Sequence, residues 1–118
     1  MMSPLPLITA AETFMAIYHA DAKLCAGQTD WDCVVRLQAS DAPQRVTIEV
    51  RNGRVAALSA ATDAAVLTVT ATLQILLDIL QLKLNPNQPY IFGELTVAGQ
   101  EADFMRVDYV ASMLCAHA

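Results

Sequence analysis

The sequence predicts an α+β domain: a largely antiparallel five-stranded sheet with helices packed on one face. Three observations predict it. Val46, Ile48 and Val50 alternate with Arg45, Thr47, Glu49 and Arg51, which is the pattern of a strand with one apolar and one wet face. Asn52-Gly53 then closes a two-residue hairpin of the type that needs positive φ, so the strands on either side run antiparallel. Residues Leu73 to Leu84 carry leucine or isoleucine at eight of twelve positions, a long apolar helix that must be buried. Because only one face of each strand is apolar, the helices belong on that face.

The elements follow in order. Pro4 and Pro6 keep the first residues extended, and Thr9 with Glu12 forms a capping box for a helix from about Ala10 to Leu24. Its inward face is Phe14, Ile17, Tyr18, Asp21 and Leu24 or Cys25, with Asp21 reaching solvent or a polar neighbour. Gly27 ends the helix, and Trp31 to Leu37 is strand one, with Cys33, Val35 and Leu37 on one face and Asp32, Val34 and Arg36 on the other. Ser40-Asp41-Ala42-Pro43 turns the chain into the alternating second strand, and Arg54 to Ser59 returns as the third. Residues Ala60 to Thr62 connect to strand four, Ala64 to Thr70, where Ala65, Leu67 and Val69 share a face and Thr70 can cap the following helix.

Asn85-Pro86 stops the apolar helix, because the residue before proline is pushed out of the α region. Strand five, Tyr90 to Val97, places Ile91, Gly93, Leu95 and Val97 on one face and Phe92, Glu94 and Thr96 on the other, and Gly99 ends it. The last helix runs from Gln100 or Glu101 to about Cys115. Phe104, Val107, Ala111 and Leu114 lie on one side, with Met105, Tyr109 and Met113 on a flanking one.

The apolar helix carries more than one core needs. At 100° steps Leu73, Leu76, Leu77, Leu80 and Leu84 form one stripe and Ile75, Ile79 and Leu82 a second, leaving only Gln74, Asp78 and Gln81 as a polar stripe. The second stripe requires a neighbouring helix, another subunit or an apolar ligand. Composition points the same way: 55% of the 118 residues are hydrophobic and 16% charged, against a usual quarter charged. A chain of this length forms one domain, residues 1–118, able to bury roughly two-thirds of its unfolded surface. The net charge of −5, with seven Lys and Arg, argues against nucleic acid and gives no polybasic patch for anionic membranes.

Reactive chemistry has no motif here. Cys25, Cys33 and Cys115 lack paired spacing, so they read as free thiols packed like small hydrophobes in a reducing, cytoplasmic compartment, and no metal site is expected. His19 reads as a solvated residue on the polar side of the first helix and His117 as frayed. The four glycines include no phosphate-binding run. Met1 to Ile8 has no basic residue ahead of a sustained apolar run, unlike a signal peptide, and the helix at 73–84 is too interrupted to span a bilayer. Neither enzymatic activity nor a cofactor is expected.

Asp63-Ala64-Ala65, Leu82-Lys83-Leu84-Asn85-Pro86 and Tyr90-Ile91-Phe92-Gly93-Glu94-Leu95-Thr96-Val97-Ala98-Gly99, in this order of elements, resemble the sterol carrier protein type 2 family of lipid-transfer domains. The family typically reads Asp-Ala, then Gly-Lys-Leu-Asn-Pro, then an aromatic and Met-x-Gly-Lys-Leu-x-Val-x-Gly. Asp63, Lys83, Leu84, Asn85, Pro86, Gly93, Leu95, Val97 and Gly99 match, whereas Leu82 replaces glycine, Ile91 methionine, Glu94 lysine and Gln100 an acidic residue. The matched residues have structural roles, as helix stop, turn and positions of close backbone approach.

The resemblance implies an apolar tunnel between sheet and helices that shelters a fatty-acyl chain, a sterol or a similar lipid. Candidate lining residues from the first helix and the sheet are Phe14, Ile17, Ile48, Val50, Leu67 and Phe92. Those from the later helices are Leu73, Leu76, Leu77, Leu80, Phe104, Met105, Tyr109 and Met113. Burying a sixteen-carbon chain at about 0.8 kcal/mol per methylene yields roughly 12 kcal/mol gross, and association takes back several, which leaves micromolar binding within reach. The expected partner is an apolar small molecule, with room for transient membrane contact. A second reading uses the extra stripe, Ile75, Ile79 and Leu82, as a homodimer interface. In a third the domain is an accessory module that presents an apolar substrate or quinone to a partner enzyme. The family's domain also occurs attached to enzymes such as alkylsulfatase-like hydrolases.

Overall fold

The computed structural model of the chain describes residues 6–59 and 67–117. The expectations for Pro4, for the connection at 60–62 and for Asp63, Ala64 and Ala65 lie outside them, as does the side chain of His117. The five strands are β1 (Cys33–Ala39), β2 (Arg45–Arg51), β3 (Arg54–Ser59), β4 (Leu67–Ala71) and β5 (Leu95–Ala98). The helices are α1 (Leu7–Ala20), α2 (Ala22–Ala26), α3 (Leu73–Leu80), α4 (Asn87–Ile91) and α5 (Glu101–His117). The sheet order is β3-β2-β1-β4-β5, antiparallel throughout except for the parallel β1·β4 pair. The mixed, mostly antiparallel sheet of an α+β fold is therefore present as the alternating pattern requires.

Register explains how the core is assembled. Leu58, Ile48, Val35 and Leu67 are successive cross-strand partners, and Val46, Leu37, Val69 and Val97 form the neighbouring row. These two rows carry apolar residues of all five strands to one face. β1 shows the alternation most cleanly: Cys33, Val35, Leu37 and Ala39 are buried while Val34, Arg36 and Gln38 are half-buried. Asn52 (φ 51°) and Gly53 (φ 75°) form the hairpin turn, both with the positive φ that the Asn-Gly pair allows. Gly53 has a second reason to lack a side chain, because a Cβ there would lie 2.1 Å from the Gln28 carbonyl oxygen.

Helix ends depart from the sequence expectation, each for a local reason. α1 starts at Leu7, not Ala10, with Pro6 as N-cap, so Thr9 and Glu12 lie inside the helix and make no capping box. The Leu7 amide is instead met by Gln44 Oε1 at 2.7 Å, from the β1–β2 turn. The first helix also breaks at Asp21 (φ −92°, ψ 82°), whose carboxylate accepts the Leu24 amide at 3.0 Å and caps α2. β1 begins at Cys33, two residues later than Trp31, and runs to Ala39. β4 continues to Ala71, and the cap of α3 is Thr72 rather than Thr70, its hydroxyl accepting from the Ile75 amide at 3.3 Å.

The apolar helix ends at Leu80, four residues before Leu84. Lys83 N–H donates to Asp78 C=O at 2.8 Å and Leu82 N–H to Ile79 C=O at 3.1 Å, with Leu82 at φ 62°. This is a Schellman closure with leucine at the position that glycine usually fills. Tyr90 and Ile91, expected in strand five, belong to α4, which Gly93 (φ 76°) closes in the same way: Glu94 N–H to Pro89 C=O and Gly93 N–H to Tyr90 C=O. The fifth strand is accordingly four residues long. α3 packs against α1, and of its second apolar stripe Ile79 is buried while Ile75 and Leu82 are half-buried.

Candidate functional site

Three helices meet the apolar sheet face over an internal cavity of about 80 Å³. The sheet contributes Val35, Leu37, Ile48, Val50, Val55 and Leu58 to its walls. α1 adds Ala11, Phe14, Met15 and Tyr18, α3 adds Ile79 and Leu80, and α5 adds Val107, Val110 and Ala111, with Trp31 from the segment before β1. The spacing explains the α1 contribution, because Ala11, Phe14 and Tyr18 recur every three or four residues and so share one face. The site also depends on the hairpin turn: Tyr18 hydroxyl donates to the Gly53 carbonyl, and the Gly53 amide donates to Trp31 C=O at 2.9 Å.

Polar chemistry at the cavity is sparse. Burial, reinforced by the adjacent Cys25, pushes the Tyr18 phenol well above its usual range, so it stays a neutral donor. Cys33 is pushed up to about 11 by burial and by the charge of Asp103. The Trp31 indole N–H is buried without an acceptor among the described residues. Such a space can take an apolar group out of water, but its walls offer no activated nucleophile and no charged acid–base pair. Neither is it large enough as it stands. Ligand pockets run to about 300–1,000 Å³, so a lipid chain requires the helices to move apart.

A second, open cleft of about 440 Å³ is edged by Gly27, Gln28, Asp30, Ala102, Met105, Arg106 and Tyr109. Arg106 Nη1 and Nη2 grip Asp30 at 3.0 and 3.3 Å, and Nη1 also donates to Gln28 Oε1 at 2.9 Å. The guanidinium lies 5.9 Å from the Trp31 ring centroid. The hydrogen bond from Arg106 holds the Asp30 carboxyl below its ordinary range.

Of the residues expected to line a tunnel, Phe14, Ile48, Val50 and Leu80 surround the cavity. Leu67, Leu73, Leu76 and Leu77 are buried in the core away from its walls. Phe104 is buried with its ring 4.8 Å from that of Tyr90, and Met113 is half-buried against the core. Four residues lie outside. Phe92 is 76% exposed because it caps α4 rather than entering a strand, and Ile17 is 39% exposed because Tyr18 takes the inward position. Met105 and Tyr109, 62% and 49% exposed, share an outer face of α5 at the cleft. Trp31, Tyr18, Ile79, Val107 and Val110 were not expected in the site. Val107 and Val110 were legible as a helical pair, but Trp31 precedes the strand and carries no periodic signal.

His19 also differs from expectation. Its Nε2 accepts the Val55 amide at 3.0 Å, tying α1 to the β3 edge. Cys25 and Cys33 are buried and Cys115 half-buried, all three as free thiols. Among the described residues no helix is long and apolar enough to cross a membrane.

Residues 14–111 match the model of the SCP-2 sterol transfer family. The chain belongs to this family. Members of the SCP-2 family bind apolar lipids. Solved structures share the fold at low identity. A ubiquinone synthesis protein, UbiJ-SCP2, is 18% identical with a TM-score of 0.70, covering 97% of this chain and 96% of its own. Palmitated SCP2L2 from Aedes aegypti is 16% identical with a TM-score of 0.69, covering 91% and 95%. The sec-alkylsulfatase Pisa1 from Pseudomonas sp. is 19% identical with a TM-score of 0.58 over 78% of this chain but 14% of its own. No curated protein matches the sequence. At these identities the likeness is one of fold.

Proposed function

We propose that this chain, as a single SCP-2 domain in the cytoplasm, binds and carries an apolar lipid without catalysing a reaction. The ligand is a fatty-acyl chain, a sterol or a similar molecule, held between the sheet and α1, α3 and α5. The carrying observation is the cavity: a space walled by alkyl and aromatic groups from three helices and three strands. The neighbour solved with palmitate supports an acyl ligand. Phe14, Ile48, Val50 and Leu80 are the expected residues best placed to touch it, and the free thiols fit a reducing compartment.

Native mass spectrometry of freshly purified protein, with organic extraction of bound species, tests the reading. A releasable fatty acid, phospholipid, sterol or quinone supports it. A clean protein mass, together with no displacement of a fluorescent acyl probe, refutes it. A second reading, an accessory module that presents an apolar substrate to a partner enzyme, draws on the ubiquinone synthesis protein and on the alkylsulfatase, where the fold is a small part of a larger enzyme. It uses the same cavity.

A further inference from the structure

A buried indole N–H normally finds a hydrogen-bond partner, and more than nine in ten buried polar groups are paired. Trp31 is only 8% exposed and lines the cavity, yet its Nε1–H has no acceptor among the described residues. The other polar side-chain group on the walls, the Tyr18 hydroxyl, is committed to the Gly53 carbonyl. Trp31 thus carries an unmatched donor beside an alkyl-walled cavity that has to open to admit a ligand, and a solute that enters with an acceptor can meet it.

We infer that Trp31 is the ligand-selecting residue, its indole N–H donating to a neutral carbonyl oxygen, as in an ester, ketone or quinone, carried by a lipid whose hydrocarbon part fills the cavity. Indole is a donor only, so the matching group must accept. A carboxylate would place a charge among apolar walls, and Arg106, the cation at the Trp31 ring, is already held by Asp30 and Gln28. A carbonyl satisfies the donor and adds no charge. The inference rests on the cavity being the lipid site and adds to it a chemical preference.

Trp31 is the chain's single tryptophan, so ¹⁵N-labelled protein has one indole resonance. Methyl octanoate and nonane differ in the ester and little in length, and methyl resonances of Val35, Ile48 and Leu80 report whether either occupies the cavity. The expected result is that both ligands move the methyls and the ester alone moves the indole proton downfield. If both occupy the cavity and the indole responds alike, the selecting role of Trp31 is overturned while lipid binding stands. If neither moves the methyls, the carrier reading fails and this inference with it. In Trp31→Phe, which keeps an aromatic face for Arg106, the ratio of ester to alkane affinity is expected to fall roughly three- to tenfold, the size of one hydrogen bond. An unchanged ratio contradicts the inference. Should that variant not fold, the resonance experiment on the native chain decides alone.

Discussion

At Leu82 a branched side chain sits at φ 62°, in the left-handed region that L-residues enter at a cost of roughly 1–2 kcal/mol. The family's usual residue there is glycine, and the Schellman hydrogen bonds from Lys83 and Leu82 to the end of α3 show why: the C′ position of this closure is left-handed. Leu82 is half-buried against the core, so its packing offsets part of the strain. Comparing two truncations isolates the backbone. Leu82→Gly should be more stable than Leu82→Ala by about 1 kcal/mol in urea denaturation, the reverse of the order inside a helix. Equal midpoints would show that the strain is absent. Gly53 is the opposite case. Gly53→Ala forces a Cβ against the Gln28 carbonyl at positive φ and should cost about 2 kcal/mol or more, loosening the turn that Tyr18 and Trp31 hold. A loss below half that size would mean that the Gln28 segment yields freely.

Two helices and one turn form the next unit. The residues between β1 and β2 cap both α1 and α3, Gln44 through the Leu7 amide and Asp41 through the Leu73 amide at 2.8 Å. Asp41→Ala should therefore lower stability by about 1 kcal/mol although Asp41 is exposed and 32 residues from its partner. No change in the urea midpoint would assign that cap entirely to Thr72. His19 links α1 to β3, and burial, aided by the nearby Arg54 charge, lowers its pKa from 6.5. A lowered folded value means that the unfolded chain binds the proton more tightly. Stability from this group is complete above about pH 6.5 and is lost as pH falls through the folded value. Denaturation followed from pH 7.5 to 5 should show that decline in the native chain and a smaller one in His19→Gln. Parallel curves would remove His19 as the cause. The termini of α1 and α3 were poorly legible for the same reason. Their caps come from Gln44 and Asp41, distant in sequence, or from a leucine doing glycine's work, whereas the Asn52-Gly53 turn and the bounds of β2 are self-contained and were read correctly; within β2 the alternation fails at Thr47, expected on the wet face but buried.

Across the whole domain, the consequence of the small cavity is that ligand binding must be coupled to opening. With ligand at a hundredfold excess over its Kd, binding should stabilise the fold by about 2.7 kcal/mol, read as a raised melting temperature with an acyl ligand and none with a polar control. Val110→Phe fills space at the junction of α5 and the cavity. It should cost less than about 1.5 kcal/mol if the cavity accepts the ring, and acyl-probe uptake should fall. Unchanged uptake would place the ligand elsewhere. By itself the sequence determined the fold class, the hairpin, the sheet face that is buried and the apolar excess of α3, because hydropathy period and turn chemistry act between residues close in the chain. Only the tertiary structure decided that α3 packs against α1, that Phe92, Met105 and Tyr109 stand outside, and that the Trp31 indole N–H is buried without an acceptor among the described residues. Those outcomes depend on which distant side chains meet, and packing rather than local propensity selects them.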